Sequence, residues 1–124
     1  MKKITIAVGN HSLSAELNDS SSAQLIWDAL PIEGAANVWG DEIYFTIPVD
    51  MKQAGDAKAD VELGDLAYWP PGRAFCIFYG PTPVSADEQP RAAGPVNVFG
   101  RVLDDATRLR GVQDGTYVYI SPAE

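Results

Sequence analysis

Few residues of this chain are suited to covalent or acid-base chemistry. His11 is the one histidine and Cys76 the one cysteine. His11 falls in a hairpin turn, where a general-base role competes with that of a solvated turn residue. Cys76 stands between Phe75 and Ile77 in an apolar run, the setting of an inert buried thiol more than of an activated nucleophile. A zinc centre needs more thiolates and imidazoles than one of each. Asp19, Asp41, Glu42 and Asp65 are hard-cation donors by type, but they lack the Asp-x-Asp-x-Asp-Gly spacing of a calcium loop, so no metal site is expected. Neither a phosphate-binding glycine loop nor a dinucleotide fingerprint occurs, and no cofactor is expected.

The aromatic residues form the stronger signal. Trp39, Tyr44, Phe45, Tyr68, Trp69, Phe75, Phe78 and Tyr79 crowd the middle of the chain. Most are expected in the core, because a barrel interior needs large side chains. Successive side chains of a strand point to opposite faces, so one of Tyr44 and Phe45, and one of Tyr68 and Trp69, must lie on the other face. An outward aromatic group of that kind is a candidate binding surface.

At 124 residues the chain is expected to form one domain, 1–124, able to bury roughly two-thirds of its unfolded surface. Its single cysteine excludes an internal disulfide and fits a reducing compartment. No apolar run reaches the roughly 20 residues of a membrane span and none after Lys2 and Lys3 suits a signal peptide, so a cytoplasmic protein with no membrane partner is expected. A formal charge of −8 and a pI near 4.4 argue against nucleic acid, whose binding draws on lysine and arginine. Arg91, Arg101, Arg108 and Arg110 gather in the last third, which reads either as an anion-facing patch or as scattered surface charge.

Period-2 alternation predicts a first hairpin from Ile4, Ile6 and Val8, turning at Gly9-Asn10 and returning through Leu13, Ala15 and Leu17. Serines at 20–22 can cap a helix running to Leu30, where Pro31 stops it. Strands are expected at Ala36 to Trp39 and Glu42 to Ile47 around Gly40-Asp41. Two more, Leu66 to Trp69 and Phe75 to Tyr79, flank Pro70-Pro71-Gly72-Arg73, where the glycine can take positive φ. Asp50 to Leu63 and the proline-rich Gly80 to Pro95 read as surface connections. The chain ends with a strand from Val96 to Leu103, a helical turn over Asp104 to Leu109 and a strand from Thr116 to Ile120. Many short strands with close turn signals and one or two short helices suggest a closed or nearly closed β-barrel.

Four segments in order, Leu30-Pro31-Ile32-Glu33, Trp39 to Phe45, Gly64 to Pro70 and Phe75 to Pro83, resemble a family of small prokaryotic cyclophilin-like proteins of unknown function. Val96-Asn97-Val98-Phe99-Gly100-Arg101-Val102 is similar to the Val-Phe-Gly segment of cyclophilins, the barrel-shaped peptidyl-prolyl isomerases. The resemblance implies a mainly β fold, a cyclophilin-like closed β-barrel. It places Val96 where cyclophilins have a histidine and Cys76 where they have an aromatic, and finds no arginine near Glu42 to Pro48. A twisted prolyl amide needs a positioned cation, and only Arg73 or Arg101, projecting into the same cleft, can replace it.

The matching regions imply a side cleft with Trp39, Tyr44, Phe45, Trp69, Cys76, Tyr79 and Arg101 as candidate ligand-binding residues. Cys76 in place of an aromatic deepens the floor, and Arg101 supplies a charge for an anionic group. The leading expectation is a non-isomerase binding module for a small molecule or peptide. An isomerase and a subunit or homo-oligomer-forming protein stand as alternatives.

Overall fold

Ile4, Ile6 and Val8 are fully buried while Thr5 and Ala7 between them are only half so, and the chain opens as the expected half-buried strand. In the computed structural model, which describes residues 2–123, this strand is β1 (Lys3–Val8). It is followed by β2 (His11–Leu17), α1 (Ser21–Ala29), β3 (Ile32–Ala35), β4 (Asn37–Val38) and β5 (Glu42–Thr46). The rest comprises β6 (Lys58–Asp60), β7 (Asp65–Trp69), β8 (Ala74–Phe78), β9 (Arg91–Val102) and β10 (Tyr117–Pro122). Helix α1 starts where the Ser20 hydroxyl accepts from the Ala23 N–H at 3.1 Å, and it lays Ala23 and Ile26 on the core. No helix is long and apolar enough to cross a membrane.

The strands form one antiparallel sheet in the order β3-β10-β1-β2-β9-β7-β8-β5-β4, with β6 pairing β9 off that path. The fold is thus mainly β, with one α-helix, as the sequence pattern implies. Consecutive strands β3 and β4 lie at opposite ends of the order, so the sheet must curl to bring its ends together. They meet by packing: a Cβ added to Gly34 on β3 would stand 2.7 Å from Cδ2 of Phe45 on β5. No ladder joins the two end strands among the described residues.

Three details differ from the sequence expectation. Ile32–Ala35 is a strand because β10 recruits it, Ile32 facing Ile120 and Ala35 facing Tyr117. Residues 58–60 form an edge strand within the expected long connection. Strand β9 starts at Arg91, ahead of Gly94 and Pro95, because its first half lies beside only the short, irregularly registered β6; proline is tolerated at such edges. The remainder of the 50–57 connection is pinned by Asn97, whose buried amide donates to Lys52 O at 2.9 Å and accepts from Ala54 N–H at 2.8 Å.

The four strands β5, β8, β7 and β9 are buried on both faces. Ile43, Phe45, Leu66, Tyr68, Phe75, Ile77 and Phe99 belong to the main core. Ala67, Ala74, Cys76, Phe78, Ala92 and Val96, joined by Tyr44, Trp69 and Val98, make a second apolar layer on the opposite face. Every residue of β8 is buried as a result.

Candidate functional site

The second layer encloses a cavity of about 140 Å³ lined by Trp39, Glu42, Tyr44, Trp69, Cys76, Ala92, Ala93 and Val96. Pairing registers explain the grouping. Tyr44 and Ala67 stand opposite Cys76 from its two sides, Glu42 opposes Phe78, and Trp69 opposes Ala74. The side chains at 42, 44, 67, 69, 74, 76 and 78 therefore share one face, and the small ones among them leave space between the large rings.

Backbone contacts fix the rim. The Trp39 N–H donates to Glu42 O at 2.9 Å across the β4–β5 turn, and Gly40 within it has φ +60°. This turn lies against the segment after β8: Asp41 N–H donates to Pro81 O and Tyr79 N–H to Asp41 O, each at 2.9 Å. An added Cβ on Gly40 would stand 2.9 Å from the Thr82 Cα, so the approach requires glycine. The Asp41 carboxylate accepts from Arg110 at 3.2 Å. On the other side, Trp69 covers Gly72, where a Cβ would come 2.8 Å from two of its ring carbons. The positive φ of the β7–β8 turn falls on Arg73, at 46°, and not on the glycine as expected.

Glu42 is the one charged side chain in the lining. Only 5% of it is exposed, and its Oε1 has no hydrogen-bond partner. Burial pushes the carboxyl up to about 7, against a downward pull from the Cys76 thiol beside it. The thiol itself is held well above its usual range by burial and then by the Glu42 charge. A thiol so held does not ionise near neutrality, which argues against nucleophilic chemistry at Cys76.

Of the residues expected at a cleft, Trp39, Tyr44, Trp69 and Cys76 line this cavity, whereas Phe45, Tyr79 and Arg101 do not. Phe45 takes the opposite face of β5 and stacks on Phe75 with ring centroids 5.5 Å apart. Tyr79 is buried in the main core, its phenol pushed up to about 12 by burial and the Asp41 and Glu42 charges. Arg101 pairs across β9 with Glu16 on one side and Asp65 on the other, and its Nε donates to the Glu16 carboxylate at 3.2 Å. It lines a separate surface groove with Asn18, Val98 and Gly100. Flanking carboxylates hold it there, so the expected anion-selecting charge is not in the cleft.

Glu42, Ala92, Ala93 and Val96 complete the lining. Glu42 shares the period of Tyr44, and that alternation was the sequence signal for it. Elsewhere, His11 lies in a shallow groove with Asn10 and Gly111. No three His, Cys, Asp or Glu side chains converge on a point suited to a metal ion among the described residues.

The family model described as "Cyclophilin-like" matches residues 2–121. Among solved structures, the solution structure of the hypothetical protein AF2241 from Archaeoglobus fulgidus is similar at 42% identity with TM-score 0.82, covering 98% of this chain and 95% of that one. The structure of McbB in complex with tryptophan is similar in fold at 18% identity with TM-score 0.71, covering 95% of this chain and 44% of that one. No curated protein matches the chain.

Proposed function

We propose that this chain, which belongs to the cyclophilin-like family, is a binding module for a compact, largely apolar small molecule seated in the cleft between β5, β7, β8 and β9. One observation carries the reading: a nine-tenths buried acid, Glu42, lines an aromatic-walled cavity and carries an oxygen that no protein group satisfies. A buried polar atom without a partner costs about 1–3 kcal/mol, and a ligand donor recovers that cost. A cavity of about 140 Å³ is of the size class that accepts a single six-membered ring. McbB, 44% of whose chain matches this fold, has been captured with tryptophan.

Ala93 stands exposed at the mouth of this cavity. A thermal-shift screen of small aromatic and aliphatic compounds should therefore find ligands that stabilise wild type and not the mouth-blocking Ala93→Phe variant. Because a ligand of the folded state stabilises by mass action, the gain reaches about 2.7 kcal/mol at a hundredfold excess over its dissociation constant. Equal shifts in wild type and Ala93→Phe would place binding elsewhere.

Prolyl isomerase activity is expected to be absent. The lining supplies no guanidinium to polarise a twisting amide, and the carboxylate there has the wrong sign for that task. A protease-coupled assay with a Xaa-Pro peptide should give rates within about twofold of the uncatalysed isomerisation. Catalysis that Glu42→Gln abolishes would overturn the binding-module reading.

A further inference from the structure

Given that the cleft is a small-molecule site, as proposed above, we infer that its ligand is a compact organic cation, an alkylated ammonium group set against the Glu42 carboxylate within the aromatic lining. Four observations converge on this chemistry.

The first is the acid with its unpartnered Oε1, 5% exposed. A neutral donor can satisfy that oxygen, but only a cation also compensates an ionised carboxylate in a desolvated site. The second is that no basic side chain among the described residues lines the cavity. None of the eight lining residues is basic, and the nearby arginines are engaged: Arg91 with Asp60 at 2.7 Å, Arg110 with Asp41 at 3.2 Å and Arg101 with Glu16 at 3.2 Å. The third is the composition of the walls. Trp39, Tyr44 and Trp69 offer aromatic rings, which attract cations through their quadrupoles, while Ala92, Ala93 and Val96 offer apolar surface to N-methyl or alkyl groups. The fourth is long-range. A chain of net charge −8 raises the local concentration of cations and lowers that of anions.

Proton bookkeeping follows from the burial of Glu42. Burial pushes its carboxyl up to about 7. A bound cation favours the ionised form, so the carboxyl O–H gives its proton to solvent as the ligand enters, and affinity rises with pH across that range. Neither Cys76 nor Tyr79 competes there. Cys76 on β8 is held well above its usual range, Tyr79 beyond β8 is raised to about 12, and Asp41 in the preceding turn is paired with Arg110. Tyr44 on β5 is the remaining ionisable group of the lining, while β7 and β9 present Trp69, Ala92, Ala93 and Val96, none of which titrates.

Choline and its neutral carbon isostere, dimethylbutanol, provide the test, since they share a shape and differ in charge. Binding is measured calorimetrically and by tryptophan fluorescence, for which Trp39 and Trp69 line the cavity and Trp27 sits in another groove. Choline should bind wild type at least about tenfold more tightly than dimethylbutanol. Its affinity should rise roughly tenfold between about pH 6 and about pH 8. Glu42→Gln should abolish both the preference and the pH dependence. Should that variant not fold, Trp69→Leu keeps the acid and should weaken choline more than the isostere. Equal or tighter binding of dimethylbutanol to wild type would overturn the cation assignment while leaving the cleft reading intact. If choline, dimethylbutanol and small neutral aromatics all fail to bind, both readings fall.

Discussion

Wild-type protein should lose about 3 kcal/mol of folding stability as pH rises from about 5 to about 8, and Glu42→Gln should not show that increment. The sign follows from where the proton sits. Unfolded Glu42 releases its proton near its ordinary value of 4.5, whereas the folded, buried carboxyl keeps it to about 7. Between these values the folded state binds more protons than the unfolded one, so stability falls with rising pH until the folded group has ionised too. The displacement from 4.5 to about 7, at about 1.4 kcal/mol per pH unit, amounts to about 3.5 kcal/mol in all, most of it lost within this range. Denaturation midpoints for both proteins across this range isolate Glu42, because Asp65, also raised by burial, contributes equally to each. Parallel profiles would mean that the acid is solvated and the cleft wetter than its lining implies.

Gly100→Ala should destabilise the fold by about 3 kcal/mol, near the upper end for an overpacked site. Gly100 lies on β9 opposite Leu17 of β2, and a Cβ there would overlap the Glu16 carbonyl oxygen. That neighbour is backbone, so no rotamer change relieves the overlap and the β2–β9 ladder must open. The adjacent irregularity sharpens the constraint: Leu66 faces Gly100 but Ala67 faces Val98, leaving Phe99 as an extra residue on β9. Phe99 then turns into the core and meets Phe75 edge-on at 5.0 Å. Chemical denaturation of the variant decides the matter; a loss below about 1 kcal/mol would show that β2 can retreat freely.

The Phe99-Gly100 pair explains why the fold was legible in the sequence. Bulge, close approach and core aromatic all sit in one short motif, and the alternating strands around it carry their own period. Segments whose structure depends on partners were harder to read. Ile32–Ala35 and Lys58–Asp60 are too short to show a period, and both are strands only because β10 and β9 lie alongside. The candidate site divides along the same line. Alternation within β5 and β7 was sufficient to turn Tyr44 and Trp69 away from Phe45 and Tyr68. Arg101 was expected in the cleft because of its motif, but cross-strand neighbours decide where an arginine points, and Glu16 and Asp65 flank it on both sides.

The double burial of β5, β7 and β8 divides labour by parity. Residues 43, 45, 66, 68, 75 and 77 hold the domain together, while 42, 44, 67, 69 and 76 face the second layer. The two sets belong to separate clusters, so on the proposed reading the cleft can change its guest without loss of the scaffold. Deletion of one residue within β8 has the reverse effect, exchanging the two sets downstream at a stroke. Point changes can thus reshape the cleft while the architecture is kept, whereas a change of length is better borne by the segment between Gly80 and Pro90, which lies outside the strands.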